Sequence, residues 1–371
     1  MPESAYRLYL DGTAATAAQL DEVEEVTVVQ GTGVAWVARL KLNVRVDDTG
    51  VWSSEDHALA TPFMKLRIEV RPAAGAAFVP LIEGPVVGTE AEMSSQPGRS
   101  TLTVEVNDDS VGMNRRERVE VYEEQTADQL ARRLFADAGM ARSDVETTPP
   151  PSGGLSPVYV QRETDIQFLR RLARDLGMHA YVLPGDVAGA SVGAFKTLPV
   201  APDGLPELVL LGSARNVMQM QVRSSALRPA TAEARSLSVT DLQTTAATSA
   251  LGAVPGLGAE PPVAEAEAGL VLLPPGRDGA VDVDRWTAGA TEHSAYAFEA
   301  TGTVSFDGYA AVLSPYRVVT VRGIDGRMSG DWRVHAVTHT LTRSTYGQEF
   351  TLRRNARSAG SGGGGGLPSI F

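Results

Sequence analysis

Polar and apolar residues alternate strictly from Arg39 to Val46, which puts Leu40, Leu42, Val44 and Val46 on one face of a strand. Lys65 to Val70 and Thr101 to Val106 share this period of two. Turn-forming clusters, Asp47-Asp48-Thr49-Gly50 and Gln96-Pro97-Gly98, lie between them. Half-buried antiparallel strands at this spacing between Tyr6 and Asn107 predict a barrel or sandwich.

The period then changes. Thr126 and Gln129 form a capping-box pattern, and Leu130, Leu134, Phe135 and Ala138 follow at helical spacing up to a left-handed stop at Gly139. A second helix repeats the design, with Thr164 and Gln167, then Phe168, Leu169, Leu172 and Leu176, then Gly177. Arg-Arg-Leu recurs at the same place in both, a convergence on good helix grammar more than a duplication. The proline-rich run from Thr147 to Gly154 predicts an extended linking loop.

Strand grammar returns at Glu207–Leu211 and Val217–Val222. From Ala230 to Ala268 the chain is rich in Ala, Thr, Gly and Pro, which predicts an irregular surface excursion with at most a strand near Leu237 to Thr240. Ala297 to Asn355 is strongly β, with runs at Arg317–Val321, Trp332–His339 and Glu349–Leu352. Five consecutive glycines, 362 to 366, predict a flexible tail.

Composition narrows the class. At 371 residues, two or three folding units are expected, and 43% hydrophobic residues suffice for a sizeable core. The net charge of -12 argues against nucleic-acid binding through an overall basic surface. With no cysteine, disulfides and thiolate metal sites are excluded. The first residues do not read as a signal peptide, and no run approaches the roughly 20 apolar residues of a membrane helix. A soluble chain made in the cytoplasm, without a membrane anchor, is expected.

Candidate chemistry is sparse. His335 and His339 form an H-x-x-x-H pair, but in a strand their positions lie roughly 13 Å apart, too far to share a metal. Ala336 stands where a zinc protease would need its glutamate. Gly326-Arg-Met-Ser329-Gly330 has the spacing of a hairpin turn and not of a nucleophile elbow. Asp278, Asp282 and Asp284 lack the glycine and glutamate positions of a calcium loop. Glu163 and Asp165 suit a helix start electrostatically. Arg170, Arg171 and Arg174 read as a helix face that could meet acidic neighbours, and Leu367, Ile370 and Phe371 as an apolar peptide on a glycine tether. No catalytic, cofactor-binding or metal residues are assigned, and no cofactor is expected.

Two stretches carry a family signature. Tyr159 to Tyr181, with Gln161, Glu163-Thr-Asp165, Phe168-Leu-Arg-Arg-Leu-Ala173 and Gly177, resembles an element of the phage late control protein D family and of VgrG-type hubs. Ser329-Gly-Asp-Trp-Arg-Val-His-Ala-Val-Thr-His339, followed by Tyr346 and Phe350-Thr-Leu-Arg-Arg-Asn355, resembles the closing hairpin of the same families. The resemblance spans about residues 1 to 357 and no β-helical spike follows it. It implies a mainly β fold with a small helical insert (α+β), carrying two tube-protein-like β-barrels in one chain. The units would be residues 1–120, a helical domain 121–205, a second barrel from 206–228 and 297–357, an insert 229–296 and a tail 358–371.

The function implied is a non-enzymatic baseplate hub of a contractile tail or injection system. Three copies would form a homotrimeric ring between the hexameric inner tube and the trimeric spike, with cargo or DNA passing through its lumen. Further implied partners are a LysM-type tube-binding protein and the wedge, with assembly in the bacterial cytoplasm and a place in a virion or injection particle. Alternatives are a tail-associated peptidoglycan hydrolase, for which no paired carboxylates are visible, and a β-rich adhesin or carbohydrate-binding module, which 6% scattered aromatics do not favour.

Overall fold

The structure, a computed structural model, describes residues 6–96, 98–140, 142–148, 158–237, 243–274, 283–305, 308–343 and 345–358. The chain is mainly β, with short helices set between the strands. Among the described residues, thirteen strands share one sheet. From one edge the order runs Val217–Ser224, Phe298–Ser305, Tyr346–Arg354, Gly330–Leu341, Val23–Gly31, Val37–Asn43, Thr101–Asn107, Val79–Glu92, Lys65–Val70, Tyr6–Leu10 and Thr13–Ala14. Val318–Arg322 pairs with Gly330–Leu341, and Leu208–Val209 runs parallel beside it.

The two β-regions, expected as two barrels within one chain, join along one seam. There Gly330–Leu341 lies antiparallel to Val23–Gly31, with Ala336 opposite Gly31 and Leu341 opposite Val26. Each half keeps its own core. One gathers Leu8, Val28, Leu40, Ile68 and Val104, and the other Phe298, Val319, Trp332, Val334 and Leu352. Leu341 and Tyr346 cross the seam into the first.

Alternation placed most strands correctly, and Lys65–Val70 has the bounds its pattern predicts. The first run is an exception. Its strand stops at Asn43, and Val46 is 47% exposed, paired with Trp52 through an isolated bridge. The cause is local. Asp47 Oδ1 accepts from the backbone N–H of Thr49 at 2.8 Å and of Val51 at 3.0 Å, turning the chain out of the sheet.

The helical unit comprises Ala127–Asp137 and Asp165–Asp175, the hairpin of Glu117–Glu123 with Val158–Thr164, and a three-stranded sheet of His179–Leu183, Val192–Lys196 and Arg142–Val145. The boundary expected after residue 120 falls inside a strand of this unit. Gly139 and Gly177 end the two helices with φ of +81° and +66°. Gln129 accepts from the Thr126 N–H at 2.9 Å, as the capping box requires. The second expected box does not form: Thr164 Oγ1 instead donates to Asn114 at 2.8 Å.

The insert is not irregular. Ala230–Leu237 pairs antiparallel with Thr244–Ser249 and parallel with Gly269–Leu272, and the helix Val283–Ala295 packs on them. Ala232, Ala234 and Ala247 are buried there, so alanine occupies the positions where larger residues would signal a strand. The strand expected near Leu237 to Thr240 ends at Leu237, and 238–240 lie outside the described residues, as do Asp278 and Asp282.

Candidate assembly surface

Fusing the halves gives the sheet one uninterrupted outer face. Register places Gln219, Thr303, Glu349, Thr338, Val29, Val37 and Asn107 side by side across seven strands, and none is buried. A second row runs Gly347, Thr340, Thr27, Arg39, Glu105 and Gly88. The period of two sends the intervening residues, among them Val304, Phe350, Val337 and Val28, into the cores. Its charges include opposite-sign pairs: Arg39 with Glu105 at 2.9 Å and Lys41 with Glu24 at 3.1 Å. A shallow trough of about 470 Å³ crosses this face at Gln219, Thr301, Thr338 and Thr351.

The seam beneath is polar, buried and matched. Gln30 donates through Nε2 to the Leu81 carbonyl at 2.7 Å, and its Oε1 receives His339 Nε2 at 3.1 Å. His339 Nδ1 then accepts from the Tyr346 hydroxyl at 2.9 Å. Gln30 Oε1 can only accept, so the chain of bonds fixes the Nε2–H tautomer. Complete burial holds this imidazole neutral, with its pKa lowered to about 3.

His335, four residues earlier, has different surroundings. A register shift between Val334 and Ala336 leaves it at a bulge, half-buried against Thr32. Burial, then the charge of Arg353, lowers its pKa to about 4. His335 therefore belongs to a second polar centre, where sheet, helical unit and insert helix meet. There the His179 and His293 rings lie 5.4 Å apart, and Arg333 reaches the Pro199 carbonyl at 3.0 Å and the Tyr296 hydroxyl. Above it Tyr181 of the helical unit stacks on Tyr316 with ring centroids 3.5 Å apart. Sequence patterning gave no sign of this centre, because its members are scattered from Thr32 to Arg353.

The three arginines singled out on the second helix do not share one surface. Arg171 donates to Glu163 at 2.7 Å and to the Val160 carbonyl at 2.8 Å. Arg170 is half-buried, and Arg174 is the exposed member. Asp165 pairs with Arg118 at 2.8 Å, so the acids at the helix start are held by cations of their own unit. Ser329 donates to the Ile324 carbonyl at 3.2 Å within a turn. Leu367, Ile370 and Phe371 lie outside the described residues. Among the described residues no helix is long and apolar enough to cross a membrane.

This fold is similar to that of solved phage tail proteins. The chain matches the tail protein from Neisseria meningitidis MC58 with a TM-score of 0.62 and 14% identity, over 95% of this chain and 96% of that one. It matches the 43 kDa tail protein of prophage MuSo2 from Shewanella oneidensis with a TM-score of 0.62 and 15% identity, over 95% and 99%. The E. coli c3393 protein, a component of the type VI secretion system with structural similarity to the T4 bacteriophage tail proteins gp27 and gp5, follows with a TM-score of 0.54 and 12% identity, over 98% and 79%. These neighbours are the kind of protein that the helix and hairpin motifs resemble. No protein-family model matches the chain, and no curated protein sequence matches it.

Proposed function

We propose that the chain is a structural subunit at the base of a contractile tail or injection particle, three copies forming a ring between hexameric inner tube and trimeric spike. One observation carries the reading: a single sheet spans both halves of the chain, with a continuous outer face of threonine, small residues and paired charges. Two sheet regions per chain would give a trimer six, which matches the hexameric tube on one side while the trimer itself matches the spike. A face rich in threonine, with Arg39 and Lys41 paired to Glu105 and Glu24, holds passing chains weakly, which suits a conduit for DNA or protein cargo. The tail-protein fold supports a structural role over an enzymatic one.

Light scattering after size exclusion, on the chain alone and mixed with its cognate spike, tests this. A trimer in either condition is expected, and monomer throughout would overturn the ring. Clearing of a peptidoglycan gel by the purified chain would overturn the non-enzymatic reading.

A further inference from the structure

The junction centre has more positive charge than its own acids balance. Arg228, Arg333 and Arg353 converge on a cavity of about 80 Å³ with Thr32 and His335 on its wall. Glu292 approaches Arg333 only to 3.7 Å, and Glu299 pairs with Arg353 at 3.0 Å. That leaves two carboxylates against three guanidiniums in a protein whose net charge is -12. Burial raises the Glu292 carboxyl above its ordinary range, against the lowering charge of Arg333. Burial, and next the charge of Arg353, lowers the Arg228 pKa, against a raising influence of Glu299, and both arginines line this cavity.

The cavity also holds an unmet donor. Arg333 is 3% exposed, and its Nε–H has no hydrogen-bond partner among the described residues. A buried guanidinium nitrogen left unpaired is costly, and such a group in a native protein calls for an occupant. The space is several times the roughly 10–15 Å³ one water requires. His179 forms part of the wall and His293, with Arg228, stands at the open rim, so an ion can enter from solvent.

We propose that this cavity binds one tetrahedral oxyanion of the phosphate or sulfate class, received by Arg228, Arg333 and Arg353, with the Thr32 hydroxyl as a further donor when it accepts from His335 Nδ1–H. Charge-assisted N–H bonds suit such an ion, and Arg333 keeps its Nε–H for it while its two Nη atoms serve Tyr296 and Pro199. The ion touches three parts of the fold at once: the central sheet through Arg333 and Arg353, the segment entering the insert through Arg228, and the helix Val283–Ala295 at the rim. It acts as a clip that fixes their relative orientation.

Isothermal titration of the full chain with inorganic phosphate, at neutral pH and constant ionic strength, tests the site. One saturable site per chain is expected, with sulfate displacing phosphate. Arg228→Met is expected to weaken binding about tenfold or more, the loss of one charge-assisted contact, while Arg322→Met at a remote exposed position leaves it unchanged. Arg333 also supports Pro199 and Tyr296, so Arg333→Met could unfold the junction. The decision therefore rests on Arg228→Met and Thr32→Val, with the fold checked by circular dichroism. Heats that never saturate, chloride acting as well as phosphate, or equal affinity in Arg228→Met would each overturn the site. So would preferential binding of short single-stranded DNA, because a phosphodiester strand needs an open groove and not this pocket.

Discussion

The strand Gly330–Leu341 carries two histidines four residues apart into opposite situations. At the seam, His339 is enclosed by Gln30 and Tyr346, and both of its ring nitrogens are matched. At the junction, His335 faces a half-open cavity with surplus cations and an unpaired Arg333 nitrogen. A closed network fixes a register, and an open one leaves capacity for a ligand. The comparison teaches that burial of a histidine is uninformative until the hydrogen bonds around it are counted.

The largest effect is expected at the closed centre. His339→Leu removes the donor to the buried Gln30 oxygen and the acceptor of the buried Tyr346 hydroxyl, each such loss costing about 1–3 kcal/mol. Urea denaturation should show a loss of about 3 kcal/mol, and a loss below about 1 kcal/mol would break the idea that the seam is a matched network.

Acid should separate the centres next. His179, His335 and His339 have native pKa values lowered to about 3, 4 and 3, against an ordinary 6.5. Between those values the unfolded chain binds protons that the native chain refuses, so stability is full above pH about 6.5 and falls as pH drops toward about 4. Each such group contributes up to about 1.4 kcal/mol per pH unit. His339→Leu should therefore flatten the acid limb of stability against pH by about that slope, and an unchanged slope would mean His339 is protonated when folded.

Gly289 probes the junction from the insert side. A Cβ there would lie 2.7 Å from the Gly177 nitrogen and 3.0 Å from the Arg174 carbonyl, both backbone atoms. Gly to Ala inside a helix ordinarily stabilises by about 1 kcal/mol. Here Gly289→Ala should destabilise by about 1–2 kcal/mol through overpacking, and a rise in melting temperature would show that the two helices do not pack this closely. The smallest effect belongs to Arg228→Met in chloride buffer, within about 0.5 kcal/mol of the parent, as for an exposed side chain. A larger loss there would mean that Arg228 serves the fold and not a ligand.

Much of the fold was legible because large β-branched residues alternate cleanly, as in Lys65–Val70, and because glycine marks both helix stops. The insert was not, since its strand core is alanine. The run Ala-Thr-Ala-Glu-Ala-Arg from Ala230 to Arg235 does alternate, and reading alanine as the buried partner would have found it. The helix Val283–Ala295 was missed for the same reason, its buried face being Thr287, Gly289, Thr291 and Ala295. The outer face could be anticipated from the polar positions of each strand, but its continuity depends on a pairing between strands some 300 residues apart. The junction cavity assembles Thr32, Arg228, Arg333 and Arg353, which no spacing rule connects.

The same long-range pairing governs how the chain is made. Val23–Gly31 leaves the ribosome early, yet its neighbour on one side, Gly330–Leu341, follows only after nearly the whole chain. Until then the N-terminal sheet has an unfinished border, open to other nascent chains. A product cut short anywhere before Gly330 keeps that border for good. Completion of the sheet thus depends on translation through the closing hairpin.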